Sequence, residues 1–177
     1  MKKRIDVFLL AFILLCGALL IYIVAGTLEQ KVTSAGDTAP KFKVTTDRGK
    51  TITPSNFAGK LLVLNFWASW CPPCISETPS LEQFAKQFAP QGVVVLGISQ
   101  DRKEDRYKQF IQRFGVTFET ARDPSADIAA SYGTLQIPET YIIAPNGKVL
   151  EKVISNQDWM DPEFLARVRQ MLASSGT

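Results

Sequence analysis

The stretch LLVLNFWASWCPPC, from Leu61 to Cys74, joins an apolar run of strand length to two cysteines held two residues apart by Pro72 and Pro73. Leu61 to Trp67 is apolar almost without interruption and does not alternate, which predicts a strand buried on both faces. From about Cys74 to Phe88, Leu81, Phe84, Ala85 and Phe88 recur at helical spacing. The junction then places Cys71 near a helix N-cap and both prolines in the first turn, where a missing N–H costs little. A helix N-terminus carries roughly half a positive charge and unpaired N–H groups, so it stabilises a thiolate and lowers the Cys71 pKa below the free value of about 8.5. Cys71 is the expected nucleophile, with its sulfur exposed beside Trp70. Cys74, one turn deeper, is placed to attack a mixed disulfide formed at Cys71. The competing reading is an inert disulfide or a pair of buried fillers. Against it, the chain has no other cysteine outside its apolar N-terminal run to share a structural role.

Working outward, Val93 to Ile98 reads as a second buried strand, and Asp105 to Phe114 as a charged helix with Tyr107, Phe110, Ile111 and Phe114 on one side. Asp127 to Tyr132 is a short helical piece. Glu139 to Ile143 and Lys148 to Ile154 are strands joined at Asn146-Gly147, and Pro162 to Leu172 is an amphipathic helix. Towards the N-terminus, Phe42, Val44 and Ile52 flank Asp47-Arg48-Gly49-Lys50 as a short hairpin. Strands and helices that alternate and then end in a hairpin indicate an α/β sandwich with a mixed sheet.

The chain begins MKKRID and continues with twenty uncharged residues, Val7 to Gly26. As a helix that run spans roughly 30 Å, one bilayer core. Lys2, Lys3 and Arg4 favour a cytoplasmic N-terminus, with everything after Gly26 on the far side. A cleaved signal peptide is the other reading, with Val24-Ala25-Gly26 as its cleavage site; its apolar region is usually shorter than this one. Cys16, preceded by Leu15, reads as an ordinary apolar filler. The expected organisation is a transmembrane signal anchor over 1–26, a flexible tether over 27–39 and one globular domain over 40–177.

Of the formal charge of +3, Lys2, Lys3, Arg4 and Asp6 supply +2, leaving 17 basic and 16 acidic residues elsewhere. No basic stripe remains to neutralise phosphates, so nucleic acid is set aside as a partner. With no histidine in the chain, Cys-His and Ser-His dyads are excluded. One usable cysteine pair falls short of the four ligands of a structural zinc site, and no metal is expected.

Two acids complete the candidate set. Glu77, three residues after Cys74 on the same helix face, either holds a proton for the pair or is a solvated carboxylate in an early helical turn. Glu139 follows Ile137-Pro138, a bond that could be cis, and on the residues alone reads as an exposed edge residue.

FWASWCPPC and SYGTLQIPETYIIAPNGKV together resemble membrane-anchored thiol:disulfide oxidoreductases of the TlpA, ResA and CcmG (DsbE) group, over about Pro40 to Leu172. The resemblance implies a thioredoxin-like fold with an N-terminal hairpin and an inserted helix-strand segment. It implies a cis Pro138 beside the cysteines, an Ile137 that offers backbone to a substrate strand, and Glu77 and Glu139 in an acidic environment that tunes the pair. Trp70, Pro72, Pro73, Ile137 and Pro138 then form the substrate groove. The chain departs from cytoplasmic thioredoxins at Asn65, which stands where they carry a buried Asp and cannot take a proton from Cys74; Glu77 is the candidate replacement. The paired prolines leave chiefly the Cys74 N–H to solvate the Cys71 thiolate, which predicts a reducing couple.

The function these readings imply is reduction of protein disulfides by a monomer in the inner membrane, its soluble domain facing the periplasm. Its only redox group is the Cys71–Cys74 pair. By resemblance the client is apocytochrome c and the electron donor a transmembrane thiol carrier of the CcdA or DsbD type. A disulfide oxidase or isomerase keeps the fold and reverses the current, and a broad-specificity reductase keeps the direction. Peroxide reduction wants Pro and Thr or Ser ahead of the reactive cysteine, where this chain has Leu64 and Ala68. A thiol-holding chaperone or assembly subunit is the reading outside enzymes.

Overall fold

The computed structural model describes residues 2–28, 32–57 and 59–175, with side chains at 10–23, 32–57 and 59–174. The chain divides into two units, Met1–Lys31 and Val32–Thr177. In the first, helix α1 runs over Lys2–Leu28. Among the described residues no helix is long and apolar enough to cross a membrane. Of the expected anchor, Val7 to Gly26, the side chains at 7–9 and 24–26 lie outside the described ones.

The second unit is built on a five-stranded sheet in the order β5-β4-β3-β6-β7. Strand β3 (Leu61–Trp67) is central, parallel to β4 (Val93–Ser99) and antiparallel to β6 (Glu139–Ile143). Beyond them, β5 (Glu119–Arg122) runs parallel to β4, and β7 (Val149–Ile154) antiparallel to β6. Helices α2 (Pro72–Phe88), α3 (Glu104–Phe114), α4 (Asp127–Ser131) and α5 (Pro162–Ser175) surround the sheet. The expected hairpin is present as β1 (Val44–Thr45) and β2 (Thr51–Ile52).

Every residue of β3 is buried, and its side chains alternate between two cores, as the pleat requires. Leu62, Leu64 and Phe66 pack with Phe42, Val44, Ile52 and Tyr141. Leu61 and Val63 pack with Phe84 and Phe88 of α2, with Phe164 and Val168 of α5, and with Trp159. Asn65 shares the second face, opposite α2.

Two boundaries differ from expectation. Residues 33–39, expected to belong to a loose tether, are pinned to the domain. Thr33 N donates to Tyr132 O (3.0 Å), Gly36 N to Val149 O (2.8 Å) and Ala39 N to Gly147 O (2.9 Å), and Thr33 is buried. Their small polar side chains hide backbone pairing with residues far along the chain. Strand β5 was not placed from the residues: Glu-Thr-Ala-Arg carries no apolar run, and it forms by pairing on β4 and bridging Thr46 at Ala121.

Candidate active site

Cys71 is the N-cap of α2, in extended conformation, with Pro72 and Pro73 in the first turn. Its sulfur accepts a hydrogen bond from Cys74 N at 3.3 Å. The two cysteines are joined as a disulfide. Since proline has no N–H, neither position 72 nor 73 adds a donor.

The expectation that the first sulfur is exposed is corrected by the packing: Cys71 is 3% exposed and Cys74 1%. Both belong to a cluster with Trp67, Ala68, Tyr107 and Phe110, and Ile137 packs against it. Trp67 stacks on Tyr107 and meets Phe110, ring centroids 5.7 and 4.5 Å apart. What projects outward is Trp70, 61% exposed, and Leu135, 82% exposed. Between them lies a cavity of about 310 Å³ lined by Trp70, Gln100, Thr134, Leu135, Gln136 and Ile137. The Ile137–Pro138 peptide is cis. Cys71 Sγ is 3.5 Å from the Ile137 carbonyl oxygen, to which a reduced thiol at that place can donate.

Glu77 is 3% exposed, so the solvated alternative does not hold. Its Oε1 accepts from Asn65 Nδ2 (2.9 Å), and its Oε2 from Gln157 N (3.2 Å) and Trp159 Nε1 (3.3 Å). Asn65 also donates to Thr140 Oγ1 at 2.8 Å. Burial pushes the Glu77 carboxyl up from its ordinary 4.5 to about 7, and the three N–H donors oppose that rise. A carboxyl one helical turn from Cys74 with a midpoint near neutrality is suited to exchange a proton.

Glu139 is likewise 3% exposed rather than an edge residue, because β6 lies between β3 and β7. Its Oε1 accepts from Thr134 Oγ1 (2.7 Å) and from the Tyr141 hydroxyl, and pairs with Lys152 Nζ (3.1 Å). Burial and the neighbouring Glu139 together hold the Tyr141 hydroxyl well above its usual range. Residues alternate along β6, so Glu139 and Tyr141 face one side of the sheet while Thr140, with Asn65 and Glu77, faces the other. The two glutamates that the resemblance groups together therefore occupy separate networks on opposite faces.

Asp101 was missed. It is buried, and its Oδ2 accepts from Ser69 N (2.9 Å) and Ser99 Oγ (2.7 Å), its Oδ1 from Ser69 Oγ (2.7 Å). It fixes the turn that delivers Trp70 and Cys71. An acid just past the C-terminal end of a buried parallel strand is the signal that could have found it.

Among the described residues no group of three or more His, Cys, Asp or Glu could hold a metal ion. A helix-capping CxxC pair, the Ile137 carbonyl ahead of cis-Pro138 beside the first cysteine and a buried acid one turn beyond the second make an arrangement suited to dithiol exchange. The comparisons agree. The AhpC/TSA family profile matches residues 35–152. A "Thiol-disulfide oxidoreductase ResA" of Bacillus thuringiensis subsp. konkukian is 31% identical over 158 residues, covering 88% of this chain and 91% of the relative.

The chain belongs to the ResA family of thiol-disulfide oxidoreductases.

Solved structures share the fold of this ResA-type chain. A Chlorobium tepidum structure described as a thiol:disulfide interchange protein of the DsbE type superposes with a TM-score of 0.70 at 27% identity, covering 82% of this chain and 99% of that one. A thiol-disulfide oxidoreductase from Bacteroides fragilis gives 0.66 at 25%, covering 76% and 99%. The ResA relatives are named thiol-disulfide oxidoreductases, and this chain carries its Cys71–Cys74 pair at the start of α2.

Proposed function

We propose that this oxidoreductase works as a dithiol reductase of protein disulfides. The Cys71 thiolate attacks one sulfur of a client disulfide; that S–S bond breaks, and the client's other sulfur leaves as a thiolate. Glu77 takes the proton from Cys74, whose thiolate attacks Cys71 Sγ. The client leaves with two thiols, and the enzyme keeps both oxidising equivalents as the Cys71–Cys74 disulfide. The observation that carries this reading is Glu77: buried one turn from the resolving cysteine, with a carboxyl raised to about 7. The direction is supported by the sparse solvation of Cys71, whose sulfur accepts from Cys74 N alone in the first turn. A weakly stabilised thiolate leaves the disulfide relatively favourable, hence a reducing couple.

Helix α1 is the proposed signal anchor. Its described side chains from Leu10 to Ile23 include Phe12, Leu15, Leu20 and Ile21, each more than half exposed. An apolar surface of that kind suits a hydrocarbon surround, which is the support for this reading. The basic N-terminus then sets the domain on the periplasmic side of the inner membrane, as a monomer. Apocytochrome c as client and a CcdA- or DsbD-type thiol carrier as donor complete the proposal; the support for both is the motif resemblance. No further cofactor is required, since the cysteine pair carries both electrons.

The test is the reduction potential of the Cys71–Cys74 couple in the full-length protein, equilibrated against glutathione and dithiothreitol buffers. A value near thioredoxin's, about −270 mV, is expected. A value near about −120 mV would make the protein an oxidant and remove the cytochrome assignment with it.

A further inference from the structure

The connector between β7 and α5 touches both halves of the exchange site. Ser155 N donates to Pro138 O at 3.0 Å, so the cis-proline carbonyl is held by the connector's first residue. Two residues on, Gln157 N reaches Glu77 Oε2 at 3.2 Å. Trp159 then binds α2 twice, its backbone N–H to Ser80 Oγ and its indole Nε1 to Glu77 Oε2, both at 3.3 Å. Ser155 takes the left-handed conformation, φ 71°, which a non-glycine residue adopts at some cost and which turns the chain out of β7.

We propose that Trp159 is a positioning residue for the Glu77 carboxylate, and that the connector from Ser155 to Trp159 ties this carboxylate to the cis-Pro138 segment. The proposal rests on the reading of Glu77 as the proton acceptor for Cys74. The two carboxylate oxygens have different supports. Oε1 is held by Asn65, itself fixed on Thr140, within the sheet. Oε2 is held by connector donors, Gln157 N and the Trp159 indole. Packing fixes the direction of that indole N–H: Trp159 is fully buried, with its ring 5.7 Å from Phe84 and 5.1 Å from Phe164. A locked aromatic donor can hold a carboxylate in place without the entropy of a flexible side chain.

Donors of this kind favour the charged form of a buried acid and oppose the effect of burial. Burial and these hydrogen bonds account for the state of Glu77, with no charged neighbour contributing. The ionisable groups on the elements around it are Cys74, Glu82 and Lys86 on α2, Glu139 and Tyr141 on β6, Glu151 and Lys152 on β7, Asp158 and Asp161 in the connector, and Glu163, Arg167 and Arg169 on α5. Glu82 is engaged by Thr117 and Lys86, Glu139 by Lys152, and Asp158 by Met160 N. The bland alternative is that Trp159 only fills the core, and it predicts no change in Glu77 when the N–H is lost but the ring is kept.

The experiment uses the full-length, reduced protein in detergent micelles, labelled with carboxyl-¹³C glutamate, with the Glu77 signal assigned by its loss in Glu77→Gln. The Glu77 titration is followed in wild type, in Trp159→Phe, and with 3-benzothienylalanine at 159, which keeps the two-ring outline and replaces N–H by sulfur. The expected result is a midpoint raised by roughly half a pH unit or more in both variants, with the pH profile of mixed-disulfide resolution moving equally. An unmoved midpoint with benzothienylalanine overturns the proposal, even if Trp159→Phe shifts it, because that shift would then come from packing. If the midpoint moves while the resolution profile does not, Trp159 positions Glu77 and the reading of Glu77 as proton acceptor fails.

Discussion

Asn65 on the central strand donates its side-chain amide to the carboxylate of Glu77, twelve residues later on the CxxC helix, at 2.9 Å. An amide can orient a carboxylate but cannot accept a proton at neutral pH. In the proposed mechanism, acid–base work behind Cys74 therefore falls to the helix rather than to the strand. The raised midpoint of Glu77, about 7, suits that role at the pH where exchange occurs.

Glu77→Gln is expected to slow resolution of the mixed disulfide at pH 7 by about 100-fold, the lower range for loss of a general base. In wild type the resolution rate rises with pH through about 7, as Glu77 ionises. In the variant that step disappears, leaving the rise that follows ionisation of the Cys74 thiol. Stopped-flow release of a fluorescent client from the Cys71 mixed disulfide measures both. A wild-type inflection near 7 that survives in Glu77→Gln would assign it to another group.

The same burial makes Glu77 a cost at neutral pH. Its folded midpoint lies above its unfolded 4.5, so the native state binds the extra proton between the two values. Stability contributed by the neutral acid is complete below pH 4.5 and is lost as pH rises through about 7. The full linkage amounts to about 3 kcal/mol. Urea unfolding across pH 4.5 to 8 is expected to show the stability of Glu77→Gln gaining on wild type by an amount of that order. Any fixed offset from exchanging O for NH₂ cancels in the slope, and parallel curves would contradict the assignment.

How far the sequence reached follows from where each signal originates. Strand β3 and helix α2 were legible because burial on both faces and a 3.6-residue repeat are written locally, and the N-cap followed from their junction. Burial of Glu77 depends on Trp159, 82 residues away, and burial of Glu139 on β7 covering β6. Neither partner has a local trace beside the acid. The closed packing over Cys71 has the same origin, in Tyr107 and Phe110 of α3: the apolar side of that helix was legible, but its docking on the cysteines was not.

Lys152→Met is expected to destabilise the domain by about 3–5 kcal/mol, the usual cost of removing one partner of a buried pair. Lys152 pairs with Glu139, which is 3% exposed, and Met keeps most of the volume. The double variant Lys152→Met, Glu139→Gln is expected to recover much of the loss, since it removes the unpaired charge while keeping an acceptor for Thr134 and Tyr141. Thermal or urea melts of the four proteins in the cycle give the coupling directly. A single-variant loss under 1 kcal/mol would mean that the carboxylate reaches water without its lysine.

Asp101 provides a separate test of the turn before Cys71. Its carboxylate satisfies three donors, two of them on Ser69, and Trp70 stands next to that anchor at 61% exposure. Removing it in Asp101→Ala leaves Ser69 N and two hydroxyls without their charged acceptor, a loss of about 2–4 kcal/mol for donors of this kind. The chemistry of the cysteines is expected to be untouched, but the wall between Trp70 and Ile137, the proposed client groove, is no longer held. Exchange with a protein disulfide is therefore expected to fall at least about 10-fold, with exchange against a small aromatic disulfide nearly unchanged, since the small reagent needs little of that wall. Acrylamide quenching of Trp70, in a background with Phe at 67 and 159, reports the freed turn independently. Equal losses for both substrates would place the effect of Asp101 on the cysteines themselves rather than on the groove beside them.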